Sequence, residues 1–216
     1  MSTMTNAGDS NIFFQFFTKF SRKINVDYFR TFIDFIFYLA ETISLKLEKL
    51  LLLYVKYYDD LLEHEIQIAK ISNLTQVAHI GCGPIPSTSI LIAKKTGANV
   101  VAIDKNQQAV KKASLCVNKL KLTDKITIKN AEASTFPIEN FDVLIISHAV
   151  KPREKFLYHV SKTMKENAII VYRSFSSESG ELTDNDSFLK DIFIIDKISS
   201  SKRHGSVISI ALLKKK

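Results

Sequence analysis

The sequence predicts an α/β fold: a mainly parallel sheet with helices between its strands, closed by an antiparallel hairpin and preceded by a helical segment. Three observations predict it. Residues 76–110 hold, in order, a mostly apolar run, a glycine-rich turn, a helix-compatible segment, a second apolar run and an acid. From Gln76 onward, apolar runs alternate with helical patterns, the signature of a parallel sheet with right-handed crossovers. The last two apolar runs are separated only by Ser199–Gly205, too short for a crossover helix, so they pair antiparallel.

The elements follow in order. Residues 1–75 contain no proline and a single glycine, Gly8. Phe13, Phe16, Phe17 and Phe20 recur at helical spacing and Phe14 widens that face. Phe29, Phe32, Ile33, Phe35, Ile36 and Leu39 make a second apolar face, and a third helix runs from about Ile43 to Ile71 with a break near Tyr57. This region reads as a helical bundle or cap (1–75) ahead of a nucleotide-binding domain (76–216). An aromatic stripe of this kind is usually core. The sharper alternatives are a membrane-surface contact or a homodimer through these helices. Strands are expected at 77–81, 99–103, 125–129, 141–147, 167–173, 191–198 and 206–213. Helices are expected at 86–95, 106–120 and 151–165, with a short one near 186–190. Seven strands ending in an antiparallel hairpin make the class I methyltransferase sheet, a Rossmann-like arrangement distinct from the usual dinucleotide fold.

The turn Gly81-Cys82-Gly83-Pro84 lets backbone N–H groups approach a ligand closely, and Asp104, at the tip of the second strand, can accept from both hydroxyls of a ribose. Dinucleotide enzymes place a third glycine three residues after the second, where the pyrophosphate meets the helix N-terminus. Here Pro86 stands there and removes a backbone donor. That disfavours pyrophosphate and suits S-adenosylmethionine, which has none. Ligands of such folds sit outside the carboxyl ends of the strands. The candidate cofactor residues are therefore Gly81, Cys82, Gly83, Pro84, Asp104, Lys105, Glu132, Ala133, Ser147 and His148. Arg173, after the fifth strand, has the planar fork that clamps a carboxylate.

Composition narrows the remaining classes. A net charge of +8 is spread along the 216 residues and clusters only at Lys214-Lys215-Lys216, which argues for a solvated surface rather than nucleic-acid binding. Cys82 and Cys116 have no metal or disulfide spacing, and the five histidines form no H-x-x-x-H or H-E-x-x-H pattern, so no metal is expected. Charged residues interrupt the apolar stretches at 32–55, and no signal-peptide pattern opens the chain, so neither membrane insertion nor export is expected. The expected location is cytoplasmic.

Gly81-Cys82-Gly83-Pro84-Ile85-Pro86-Ser87-Thr88-Ser89-Ile90 resembles the G-S-G-P-L-P-L-T-S-I segment of nicotianamine synthases, with seven of ten positions identical. Three further stretches resemble the same family: Tyr54–Glu65, a Tyr-rich helix ending in a glutamate; Met164–Ser174, similar to M-A-P-G-A-V-L-M-L-R-S; and Gly205–Ala211, similar to its closing N-S-V-V-I-A strand. The resemblance covers roughly residues 54–213. It implies an S-adenosylmethionine-dependent transferase, without a metal, that moves the 3-amino-3-carboxypropyl arm to a small amino-acid acceptor and releases 5′-methylthioadenosine. The product would be a nicotianamine-like chelator, as in metallophore biosynthesis. It further implies that Glu65 takes the proton of the amine or positions the amine, that Tyr54 and Tyr58 position substrate and arm, and that Arg173 holds a carboxylate. A small-molecule methyltransferase is the competing enzyme reading. A nucleoside-binding module without turnover is the non-enzymatic one, and Pro86 and the terminal hairpin make a nicotinamide-dependent reductase the weakest.

Overall fold

Apolar runs become strands where residues of period two can bury one face against helices on each side. In chain order the elements are α1 (Glu48–Tyr57), α2 (Asp59–Ile68), β1 (Gln76–Ile80), α3 (Ser87–Thr96), β2 (Asn99–Asp104), α4 (Gln107–Lys119), β3 (Ile126–Asn130), a 3₁₀ turn (Ala133–Thr135), β4 (Val143–Ile146), α5 (Arg153–Thr163), β5 (Ile169–Phe175), α6 (Leu189–Ile192), β6 (Phe193–Ser200) and β7 (Val207–Lys214). The computed structural model describes residues 48–147, 150–175, 187–200 and 207–215. The two Phe-rich helices expected before Ile43, and His148, lie outside them.

The sheet order is β3-β2-β1-β4-β5-β7-β6. The first five strands pair parallel, and β7 pairs antiparallel with both β5 and β6. The terminal hairpin is thus the one expected from the short Ser199–Gly205 connection. Every strand boundary falls within two residues of its expected place. The order reverses between β1 and β4, so a crevice opens at the carboxyl ends of β1, β2 and β4.

Two cores form, one on each face. Val77, Val100, Val143, Ile145 and Val171 meet Leu51, Val55 and Leu62 of α1 and α2 together with Ile90 and Ile92 of α3. Ile80, Leu144, Ile146 and Tyr172 meet Phe156 and Leu157 of α5 with Ile210 and Leu212 of β7. Burying each large apolar side chain contributes about 1.5–3 kcal/mol relative to exposure, so α1 and α2 belong to the sheet's own core. Chain contacts accordingly divide after Ile43, with Ser44–Lys216 as one unit, rather than after residue 75 where the composition shifts. The break anticipated near Tyr57 falls at Tyr58, and Asp59 and Asp60 then open α2 as acids favoured by the helix dipole. Lys95 of α3 bridges Asp59 at 2.9 Å and Glu63 at 3.0 Å, joining α2 to α3 across the surface.

Candidate active site

The crevice at the switch point is a cleft of about 230 Å³ lined by Ile80, Gly81, Gly83, Ile103, Asp104, Lys105, Ala131, Glu132, Ala133, Val150 and Lys151. Its floor is the β1–α3 turn. Gly81 and Gly83 adopt positive φ of 77° and 65°, the region that L side chains rarely enter. A Cβ at Gly81 would lie 2.8 Å from Val150 Cγ2, so that glycine permits a close approach of chain segments. A Cβ at Gly83 would meet nothing within 4 Å. That open space is a cradle where a ligand can approach the backbone.

Asp104 holds this turn as well as facing the cleft. Its Oδ2 accepts from the Gly83 N–H and its Oδ1 from the Asn106 N–H, both at 2.9 Å. An ionised carboxylate offers about four lone-pair sites, so each oxygen retains capacity for a ribose hydroxyl. Asn106 in turn caps α4, its side chain accepting from Gln108 N and Ala109 N. Of the expected cofactor residues, Gly81, Gly83, Asp104, Lys105, Glu132 and Ala133 share this cleft. Cys82 and Pro84 are not part of its lining. Cys82 packs with Ala102 and Ala113, and burial, aided by the Asp104 charge, pushes its thiol up to about 12, which leaves it inert. The Pro84 carbonyl accepts from Cys116 Sγ at 3.5 Å.

A second polar cluster lies on the sheet face covered by α1, α2 and α3. Period two puts Arg173 on that face of β5, and the β5–β7 register sets Ser209 directly beside it. Glu65 descends from α2 and Thr88 from the first turn of α3. Arg173 Nε and Nη2 donate to Glu65 Oε1 and Oε2, each at 2.7 Å, and Nη2 donates to Thr88 Oγ1 at 2.9 Å. Ser209 Oγ donates to Glu65 Oε1 at 2.6 Å. Glu65 is fully buried and Arg173 nearly so. Burial works against the guanidinium charge, but the Glu65 carboxylate and the nearby Tyr58 outweigh it and hold Arg173 above its ordinary pKa. Tyr58 stands near Arg173, and its ring centroid lies 5.7 Å from that of Tyr54.

This arrangement joins two of the expected site residues. Glu65 and Arg173 were assigned separate tasks, a proton acceptor and a carboxylate clamp. They are instead each other's bidentate partner, and three donors occupy the Glu65 oxygens. A carboxylate so held fixes the orientation of Arg173.

Between cleft and cluster sits His79, which sequence reasoning passed over. It is the one titratable side chain in the apolar strand β1 and is buried. Its Nδ1 lies 2.8 Å from Ser89 Oγ and its Nε2 3.1 Å from Ser147 Oγ. Burial first, and the Arg173 charge second, lower its pKa to about 3, so the ring is neutral. A histidine inside an otherwise apolar strand was the available signal.

The nicotianamine synthase family model, described as nicotianamine synthase protein, matches residues 47–208, three quarters of the chain. The chain belongs to the nicotianamine synthase family. The match spans α1 and α2 of this nicotianamine synthase-family chain and its sheet as far as the start of β7, and so includes the cleft and Glu65, Thr88 and Arg173 of the cluster. Among solved structures, a mutant of MtNAS in complex with S-adenosylmethionine superposes with a TM-score of 0.66 at 18% identity, covering 74% of this chain and 63% of that one. MtNAS in complex with MTA and tNA gives the same score and identity, with 61% of that chain covered. The chain thus spans about three fifths of the length of these relatives. An RNA methyltransferase from Salinibacter ruber in complex with S-adenosyl-L-homocysteine superposes at 0.57 with 13% identity, covering 72% of this chain and 92% of that one. These likenesses show the class I methyltransferase-like fold. No curated protein matches this sequence. Among the described residues no group of three His, Cys, Asp or Glu stands together as a metal site, and no helix is long and apolar enough to cross a membrane.

Proposed function

We propose that this protein transfers the 3-amino-3-carboxypropyl group of S-adenosylmethionine to an amine acceptor and releases 5′-methylthioadenosine. The observation that carries the reading is the family match over residues 47–208, which takes in the helices above the sheet as well as the nucleotide cleft. Asp104 would hold the ribose, and Glu132 and Ala133 the adenine, with the backbone at Gly83 close to the ligand. A sulfonium presents three carbons as electrophiles. The one lying in line with the nucleophile, about 3–3.5 Å away, reacts. Here the acceptor's nitrogen lone pair attacks Cγ of the arm. The C–S bond breaks, its electron pair returns to sulfur, and the amine gives up a proton. Arg173, oriented by Glu65 and Thr88, would offer its remaining guanidinium donors to an amino-acid carboxylate. Glu65 then acts through Arg173 as a positioning residue. The acceptor is taken to be a small amino acid, the product a metal-chelating amine–carboxylate compound, and the site of action the cytoplasm.

Mass spectrometry of the nucleoside product, after incubation with S-adenosylmethionine and a panel of amino acids, tests the reaction. Methylthioadenosine is the expected product. S-adenosylhomocysteine with any acceptor would replace this reading with methyl transfer.

A further inference from the structure

His79 joins two serines whose hydroxyl protons its tautomer decides. Ser89 is fully buried on α3, and its hydroxyl makes one hydrogen bond, to His79 Nδ1. A buried hydroxyl whose hydrogen lacks an acceptor costs about 1–3 kcal/mol. The neutral ring can accept at one nitrogen only. Ser89 Oγ–H therefore donates to Nδ1, and the ring proton sits on Nε2. Nε2–H then donates to Ser147 Oγ at 3.1 Å. Ser147's own hydroxyl hydrogen is left pointing away from His79.

Ser147 is only partly buried and directly follows β4, at whose carboxyl end the crevice opens, next to the residues that line the cleft rather than among them. Its Oγ lies 4.0 Å from the point where a Cβ would stand on Gly81, a residue of the cleft floor. An ionised acceptor makes a stronger hydrogen bond to a hydroxyl than a neutral one does. On an amino-acid ligand that acceptor is the carboxylate. We propose that Ser89, His79 and Ser147 form a polarised hydrogen-bond chain that presents the Ser147 hydroxyl as a donor to the carboxylate of a bound amino-acid group, with His79 as its positioning residue. The proposal rests on the reading of the cleft as an S-adenosylmethionine site. Two carboxylates fit this chemistry, that of the methionine arm and that of the acceptor.

The test uses the full chain, wild type and Ser147→Ala, His79→Phe and His79→Gln variants. S-adenosylmethionine and methylthioadenosine, which lacks the arm, are titrated calorimetrically. If the arm's carboxylate is the partner, Ser147→Ala weakens S-adenosylmethionine roughly ten- to a hundred-fold, the range for a hydrogen bond to a charged group. Methylthioadenosine binding stays unchanged. If the acceptor's carboxylate is the partner, both nucleosides bind normally, and the loss falls on L-glutamate or L-histidine binding to the methylthioadenosine-loaded protein. His79→Phe shows the same loss, and adding it to Ser147→Ala costs nothing more. His79→Gln, whose amide can donate to Ser147, regains most of it, and it also serves where His79→Phe fails to fold. In histidine-labelled protein, two-bond proton–nitrogen spectra show His79 as the Nε2–H tautomer between pH 5 and pH 8. The Nδ1–H tautomer, or Ser147→Ala binding every probe like wild type, overturns the proposal. Wild type that binds neither nucleoside overturns the reading of the cleft itself.

Discussion

At the scale of the residue, the decisive groups each carry two roles. Asp104 faces the cleft and also pins Gly83 and Asn106. Asp104→Ala is therefore expected to weaken S-adenosylmethionine binding by roughly 1.5–3 kcal/mol, the scale of charge-assisted hydrogen bonds. It should also lower stability, because two backbone donors lose their acceptor. Calorimetry and urea denaturation on the same variant separate the effects, and unchanged affinity would remove Asp104 from the site. At Gly83 the space around the missing Cβ is open but φ is positive, so Gly83→Val should fold with reduced stability and fail to bind the nucleoside. Normal binding by that variant would make the turn purely structural. Glu65→Gln replaces the carboxylate facing Arg173 with one neutral amide oxygen, beside the Thr88 hydroxyl that remains. Weakening a buried ion pair on one side costs about 3 kcal/mol, and misplacing Arg173 should slow turnover by about 10²-fold. With Glu65 as a positioning residue, raising the pH should not restore the rate. Rescue at high pH would return Glu65 to the part of general base.

At the scale of the element, the β2–α4 junction links fold to site. Asn106 caps α4 through Gln108 N and Ala109 N while its own N–H donates to Asp104. Asn106→Ala should cost about 1 kcal/mol, the usual loss of an N-cap, and Asn106→Ser much less. Equal midpoints for both variants in urea would show that the cap does not hold this helix. The serine variant should also keep the nucleoside affinity, since the backbone N–H to Asp104 is untouched by the substitution. The β5–β7 register matters in the same way. It sets Ser209 beside Arg173, and so places a donor on Glu65 from a strand far away in sequence.

At the scale of the whole molecule, burying a neutral histidine ties stability to pH. The His79 pKa is about 3 in the folded protein against an ordinary value of 6.5. Between those values the unfolded chain binds a proton that the folded chain refuses. The contribution is complete above about pH 6.5 and is lost as the pH falls, at about 1.4 kcal/mol per unit. Wild type should thus lose roughly 1 kcal/mol more than His79→Gln between pH 6 and pH 5. Parallel losses in chemical denaturation at the two pH values would contradict this. Asp142 acts in a lower window. The Gln76 N–H, and then Lys165, hold its carboxyl below the usual range, so its contribution is lost only as the medium becomes acidic enough to protonate it.

Read by itself, the sequence determined the seven strands, the antiparallel close and the cleft residues Gly81, Gly83, Asp104 and Glu132. Those signals are local: period-two burial, a glycine turn, an acid at a strand tip, a loop too short for a helix. It also named Glu65 and Arg173, though as separate actors. Only the tertiary structure decided that they are partners, because 108 residues separate them and the contact depends on how α2 lies across β5 and β7. The same holds for Thr88, Ser209 and the Ser89–His79–Ser147 chain. A buried polar group must find its hydrogen-bond partner in space, and periodicity places a side chain on a face without saying which distant residue meets it there.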